Sequence, residues 1–178
     1  MMESTKKAVY YCSSSFDIDP EYNAVAREVV RAAASKGYGA VSGGSFRGTM
    51  GVIADTAREC GVENVGVVPN FMKGLEHQGL TKLIWTETMA ERKEAMREGT
   101  CLAVALPGGI GTLDELMETL TLRKLGRYSG KVIAVNCKGF YNPLKDMLDH
   151  FVATGMLTEE DKALISFPET VEEFIKLI

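Results

Sequence analysis

The nine residues Pro107-Gly108-Gly109-Ile110-Gly111-Thr112-Leu113-Asp114-Glu115 combine groups that could bind an anion with a group that could act on what it carries. They follow an apolar run, Cys101 to Leu106, and open a helical pattern that continues to Leu125. Glycine lets the backbone turn sharply and lets a phosphate reach N–H groups with no Cβ in the way. A helix start adds positive potential, and the Thr112 hydroxyl can donate to a phosphate oxygen. Gly108, Gly109, Gly111 and Thr112 are therefore candidates for a phosphate site. Glu115 has two readings. Thr112-x-x-Glu115 spells a capping box, in which the glutamate would bond back to the Thr112 amide. Alternatively, the stripe Leu113, Leu116, Met117 and Leu120 turns Glu115 roughly 160° away, towards a cleft, another subunit or water. Leu122 lies on the same side as Glu115 and is a candidate contact with a partner chain.

A second segment, Ser42-Gly43-Gly44-Ser45-Phe46-Arg47-Gly48-Thr49-Met50-Gly51, repeats the order strand, glycine turn, helix. It lacks the G-x-G-x-x-G spacing of a dinucleotide fingerprint, so it does not indicate NAD. Two such turns at strand ends suit one nucleotide clasped between them. In a third segment, Met89-Ala90-Glu91-Arg92-Lys93-Glu94-Ala95-Met96, the residues Met89, Lys93 and Met96 share a helical face, with Arg92 within roughly 60° of Met89. Glu91, Glu94 and Glu98 take the opposite side. An arginine beside the inward stripe calls for an anionic partner, a carboxylate or a phosphate; otherwise its stem lies along the surface with its head in water.

These segments need elements to position them. Apolar runs predict strands over residues 8–13, 39–42, 65–68, 83–85, 101–106, 132–136 and 164–167, several of them continuous rather than alternating, as parallel strands covered on both faces are. Helical patterns occupy 21–35, 50–60, 89–98, 113–125, 143–154 and 169–177, and Gly37, Gly61, Gly99 and Gly126 stand where four of them stop. Alternation of this kind predicts right-handed βαβ units: an α/β, Rossmann-like, doubly wound, mainly parallel sheet with helices on both faces, in one domain over 1–178 with residues 1–7 flexible. In such sheets ligands bind beyond the carboxyl ends of the strands, where all three segments begin.

Composition limits the partners. Hydrophobic residues make up 46% and charged residues 25% of the 178, an ordinary globular balance. Twenty Lys and Arg against 24 Asp and Glu leave a net charge of −4, which gives no electrostatic pull towards nucleic acid or anionic lipid. No signal peptide or membrane span is legible, which points to the cytoplasm. Cys12, Cys60, Cys101 and Cys137 form no CxxC pair and read as small buried hydrophobes, while His77 and His150 lack ligand spacing, so no metal site is expected.

Together the three segments resemble the LONELY GUY family of cytokinin riboside 5′-monophosphate phosphoribohydrolases, whose members were often mislabelled lysine decarboxylases. Pro107 through Glu115 match the family hallmark PGGxGTxxE at every specified position, and Met89-Ala90-Glu91-Arg92-Lys93 matches its M-x-x-R-K element. Gly43-Gly44-Ser45 with Gly48-Thr49-Met50-Gly51 matches its glycine turn, and Tyr11-Cys12-Ser13-Ser14-Ser15 followed by Pro20-Glu21-Tyr22 is similar to its opening. The likeness runs from about Ala8 to about Gly155. The chain departs from the family at Ala90, usually histidine, and at Ser45, usually a third glycine.

The resemblance implies hydrolysis of the N-glycosidic bond of a purine nucleoside 5′-monophosphate, AMP or an N6-modified cytokinin nucleotide, to free base and ribose 5-phosphate. It implies Glu115 as the catalytic carboxylate, with Arg92 orienting it or holding the substrate. Gly108, Gly109, Gly111 and Thr112 would take the phosphate, Ser14 and Gly44 would line the pocket, and Met89 and Lys93 would complete the binding set. No cofactor is implied, and a homodimer is. A lysine decarboxylase would need a pyridoxal phosphate Schiff-base lysine, and no lysine stands in such a setting. The alternative of another class is a non-catalytic carrier of a nucleotide or of a molybdenum-cofactor-like phosphate on the same fold.

Overall fold

The computed structural model describes residues 6–178. Seven strands, β1 (Lys6–Tyr11), β2 (Tyr38–Ser42), β3 (Asn64–Pro69), β4 (Lys82–Thr86), β5 (Leu102–Ala105), β6 (Lys131–Ala134) and β7 (Ile165–Ser166), form one sheet in the order β4-β3-β2-β1-β5-β6-β7. Every pairing is parallel. Lys6 and Lys7 pair with Tyr38 and Gly39, so the flexible stretch expected over 1–7 does not reach these two residues; the rest of it lies outside the described residues.

The connections are helices α1 (Pro20–Ser35), α2 (Gly48–Glu59), α3 (Met89–Arg97), α4 (Ile110–Lys124), α5 (Asn142–Ala153), α6 (Glu159–Lys162) and α7 (Val171–Leu177). The four-residue α6 is too short to have left a periodic trace in the sequence. Alternate residues of each strand point to opposite faces. Ala8, Tyr10, Leu102 and Val104 meet Val29 and Val30 of α1, Ile53 of α2 and Phe174 of α7. Val9, Tyr11, Ala103 and Ala105 meet Met96 of α3, Leu116 and Leu120 of α4 and Leu148 of α5. The sheet is thus covered on both faces, as its unbroken apolar strands require.

The four punctuating glycines, Gly37, Gly61, Gly99 and Gly126, all adopt positive φ, between 67° and 84°, a conformation glycine takes without a Cβ penalty. The order of strand addition reverses at β1: successive strands run from β1 through β2 and β3 to β4, and the chain then returns to place β5 on the other side of β1. In sheets of this kind ligands bind at the carboxyl edge beside such a reversal, which here lies at the loops leaving β1 and β5.

Candidate functional site

The turn after β5 lies at that edge and starts α4 without a side-chain cap. Gly109 is the N-cap residue, no side chain bonds the first-turn amides, and Ile110 is already helical. The capping box Thr112-x-x-Glu115 is therefore not formed, because the helix starts three residues earlier than its cap would place it. Gly109, Ile110 and Gly111 are exposed. A Cβ built on Gly109 or Gly111 meets nothing within 4 Å, so these two residues border open space. Uncapped N–H groups at a helix start suit an anion. Gly108 differs: a Cβ there would stand 2.2 Å from Thr112 Oγ1 and 3.0 Å from the Ser13 amide. This close fit seats the buried Thr112 beside the β1 loop.

Glu115 projects from α4 into the interior. It is 8% exposed, with Thr112 at 3% and Thr119 at 0%. The helix therefore does not turn Leu113, Leu116, Met117 and Leu120 inward with Glu115 opposite; Leu116 and Leu120 are buried, while Leu113 is exposed. The sheet-facing side offers polar partners, so it accepts polar side chains. Thr119 Oγ1 lies 2.9 Å from the Tyr11 hydroxyl and 2.7 Å from the Glu115 carbonyl. Leu122 is partly buried against the core.

Arg92 comes from α3, whose start is capped by Thr88 accepting from the Glu91 amide. Its guanidinium is buried rather than lying on the surface. Nε donates to the Val67 carbonyl at 3.0 Å, Nη2 to the Gly43 carbonyl at 3.4 Å, and Nη1 faces Glu115 Oε1 at 3.6 Å. Two backbone carbonyls thus fix the group, and its charge faces the carboxylate at a separation too long for a hydrogen bond. Burial pushes the Glu115 pKa from 4.5 to about 7, and Arg92 opposes the rise without cancelling it. Burial also raises the thiol pKa of the neighbouring Cys12, keeping it protonated.

The turn after β2 packs inside the protein. A Cβ on Gly43 would sit 2.1 Å from Arg92 Nη2 and 2.8 Å from Met50 Sδ; one on Gly44 would sit 2.8 Å from Gly66 Cα. The segment between β3 and β4 folds over this turn, with the His77 amide bonding the Gly44 carbonyl and the Phe46 amide bonding the Leu75 carbonyl. Ser14 is exposed in the loop after β1, which the Thr49 amide ties to α2 through the Ser13 carbonyl.

Met89 and Lys93 stand nearer the surface than Arg92, with Lys93 close enough to Glu115 for its charge to lower the Glu115 pKa. Met89 is 41% exposed at the start of α3, whereas Met96 is 1% exposed. Lys93 is engaged by Asp114 and Glu118 of α4, which raise its pKa. A Schiff-base lysine has to give up its proton, so Lys93 is set up the opposite way. Sequence reading overlooked Asp114 and Glu118 as partners of Lys93 and Arg97, because ion pairs between two helices leave no fixed spacing in the sequence. The carbonyls of Val67 and Gly43 left none, because any residue supplies a carbonyl. Of the cysteines expected to be buried, Cys60 and Cys101 are exposed, one closing α2 and the other preceding β5; all four are free. No helix among the described residues is long and apolar enough to cross a membrane.

The fold is that of the molybdenum cofactor carrier protein of Chlamydomonas reinhardtii, with a TM-score of 0.75 at 18% identity over 97% of this chain and 94% of that one. The molybdenum cofactor binding protein of Rippkaea orientalis matches similarly, with a TM-score of 0.70 at 18% identity over 99% and 96%. Residues 50–178 match a family model described as possible lysine decarboxylase. The cytokinin riboside 5′-monophosphate phosphoribohydrolase of Mycobacterium tuberculosis is 35% identical over 83% of this chain and 80% of its own. That of Rhodococcoides fascians is 30% identical over 97% and 89%, and the rice enzyme LOG is 30% identical over 96% and 71%. With the hallmark turn, the buried glutamate and the arginine facing it all in place, the chain belongs to the LONELY GUY family of phosphoribohydrolases.

Proposed function

We propose that the protein hydrolyses the N-glycosidic bond of a purine nucleoside 5′-monophosphate to free base and ribose 5-phosphate. The observation that carries this reading is the pairing of an uncapped, ligand-accessible glycine turn with a buried carboxylate on the helix it starts. A 5′-phosphate on the amides of Gly109, Gly111 and Thr112 directs the ribose towards Glu115. The C1′–N bond breaks as the base departs with its electron pair, leaving an oxocarbenium-like ribose that a carboxylate stabilises. Water then adds to C1′, and the proton it loses passes by way of Glu115 to the departed base, which leaves as the neutral free base. A pKa near 7 suits a group that must hold and release a proton at neutral pH. Arg92, fixed by its carbonyl bonds, orients the carboxylate, and the exposed Ser14 stands at the edge of the site, whereas Gly44 serves it from inside by letting the β2 turn pack against Gly66.

A homodimer belongs to the same reading. Ile110, Leu113 and Met147 are 89%, 43% and 49% exposed around an apolar hollow beside the glycine turn, a surface that suits a second copy. The test is to incubate the protein with AMP and with N6-isopentenyl-AMP and follow free base by chromatography. Release from both supports a phosphoribohydrolase, and the ratio of rates measures how far the cytokinin preference applies. No release from either, with nucleotide binding retained, would instead support a non-catalytic carrier.

A further inference from the structure

The Glu115 carboxylate is not held by its charged neighbour. Arg92 Nη1 faces it at 3.6 Å, and among the described residues no hydrogen bond reaches either carboxylate oxygen. Its place is therefore set by the helix that carries it. The start of α4 has no side-chain cap and its glycine turn borders open space, so the hold on this helix lies further along.

That hold includes a buried pair of hydroxyls. Thr119 stands one turn beyond Glu115, and its hydroxyl lies 2.7 Å from the Glu115 carbonyl and 2.9 Å from the Tyr11 hydroxyl. A hydroxyl has one proton to give, and a carbonyl can only accept. Thr119 therefore gives its proton to Glu115, and the Tyr11 hydroxyl must donate to Thr119. Burial pushes the Tyr11 pKa up, so the phenol keeps the proton it donates. Tyr11 is 1% exposed and Thr119 0%, so neither reaches a ligand. Among the described residues this is the one side-chain hydrogen bond that ties α4 to a strand.

Tyr11 is also the last residue of β1. Two residues on, the Ser13 amide stands 3.0 Å from where a Cβ on Gly108 would be. The end of β1 thus touches both the turn proposed for the phosphate and the helical turn that carries Glu115.

We propose that Tyr11 and Thr119 are positioning residues: their hydroxyl chain pins the Glu115 turn of α4 to the end of β1, and so fixes the distance between the phosphate seat and the carboxylate. The proposal rests on the reading that Glu115 acts on the ribose of a nucleotide held by the glycine turn. Neither side chain contacts substrate. What they supply is a fixed separation, and a misplacement of about 1 Å can cost up to about a hundredfold in rate.

The experiment compares Tyr11→Phe, Thr119→Val, Thr119→Ser and the double variant Tyr11→Phe/Thr119→Val in the full chain. It measures kcat and KM for base release from AMP, the urea midpoint, and hydrogen exchange of the α4 amides, which needs no turnover. We expect Tyr11→Phe and Thr119→Val each to lower kcat about tenfold, with KM within about twofold of the parent. Thr119→Val leaves the Tyr11 hydroxyl buried without an acceptor, so its urea midpoint should fall. The double variant leaves no such orphan and should regain the midpoint. Its kcat should stay about tenfold down, no lower than either single variant, because one chain has been cut. Thr119→Ser keeps the hydroxyl and should hold kcat within about threefold of the parent. Tyr11→Phe should also speed exchange of the Thr119 amide, whose helical acceptor is the Glu115 carbonyl, about tenfold relative to the amides of α1.

A double variant that regains both midpoint and kcat would make the pair core packing and overturn the proposal. A KM raised tenfold at unchanged kcat would overturn it too, by making one of the two a substrate ligand. Parent protein that releases no base would sink the hydrolase reading alone; exchange then decides the pin, and an unmoved Thr119 amide overturns it. Should Thr119→Val fail to fold, Tyr11→Phe and the double variant carry the comparison.

Discussion

The two glycine turns look alike as sequence and differ in what their glycines are for. After β2, Gly43 and Gly44 are hemmed in by Arg92, Met50 and the Gly66 backbone, and Gly44 holds φ at 70°. After β5, Gly109 and Gly111 face open space, and neither has positive φ. The first pair is glycine because the protein itself fills the room a side chain would need. The second pair has no such internal reason, and it leaves the room that the proposed phosphate site would need. A glycine-rich turn is therefore informative about ligands only once its neighbours are known.

The contrast yields a graded set of expected outcomes. Gly44→Ala should be the most damaging, since it adds a left-handed alanine and a 2.8 Å contact to the Gly66 backbone, neither of which can relax cheaply. We expect a loss of about 3 kcal/mol or more in urea unfolding. Gly43→Ala presses on the end of a side chain instead, so the fold should survive while Arg92 is displaced. Base release should fall about a hundredfold, roughly the scale of a removed transition-state contact, with a far-ultraviolet spectrum unchanged.

Gly109→Ala and Gly111→Ala should behave in the opposite way. Both should fold normally and bind AMP about tenfold more weakly by calorimetry, a Cβ now standing where a phosphate approaches. Gly111 lies inside the first turn of α4, where alanine is favoured over glycine by up to about 1 kcal/mol. Gly111→Ala should therefore melt higher than the parent while binding less. If it bound AMP normally, the turn would be structural after all and the contrast would fail.

The smallest expected effect is on the pH dependence of stability. With the Glu115 pKa raised from 4.5 to about 7 by burial, the folded state keeps a proton that the unfolded chain releases between those values. This group's contribution to stability is thus full below about pH 4.5 and declines as pH rises through about 7. Glu115→Gln should remove that decline. Melting curves at pH 5 and pH 8 would check it, and an unchanged difference between the two would place the Glu115 titration elsewhere.

Much of the architecture was legible because parallel strands covered on both faces read as unbroken apolar runs, and because Gly37, Gly61, Gly99 and Gly126 had a steric reason to stop helices. The site was legible in part. The hallmark nominated Glu115 and the M-x-x-R-K element nominated Arg92, and the structure brings them together. The helical pattern misjudged α4, because periodicity assumes that the buried face is apolar, whereas Thr112, Glu115 and Thr119 are buried on a face supplied with a hydroxyl and a guanidinium. The anchoring of Arg92 by the Val67 and Gly43 carbonyls was invisible, since main-chain acceptors carry no residue identity. The ion pairs of Lys93 with Asp114 and Glu118 were not legible either, since they join two helices that sequence periodicity treats separately.

The central claim is that Glu115 acts on a nucleotide held by the turn that starts its own helix. The most direct test is Glu115→Gln, with release of base from AMP and calorimetric binding of AMP measured on the same preparation. The account predicts release lowered by a thousandfold or more, a loss on the order of 4 kcal/mol of transition-state stabilisation, with the dissociation constant within about threefold of the parent. Base release at the parent rate would contradict it outright. Loss of binding together with activity would contradict it differently, by making Glu115 a support of the helix start rather than the group that acts on the ribose.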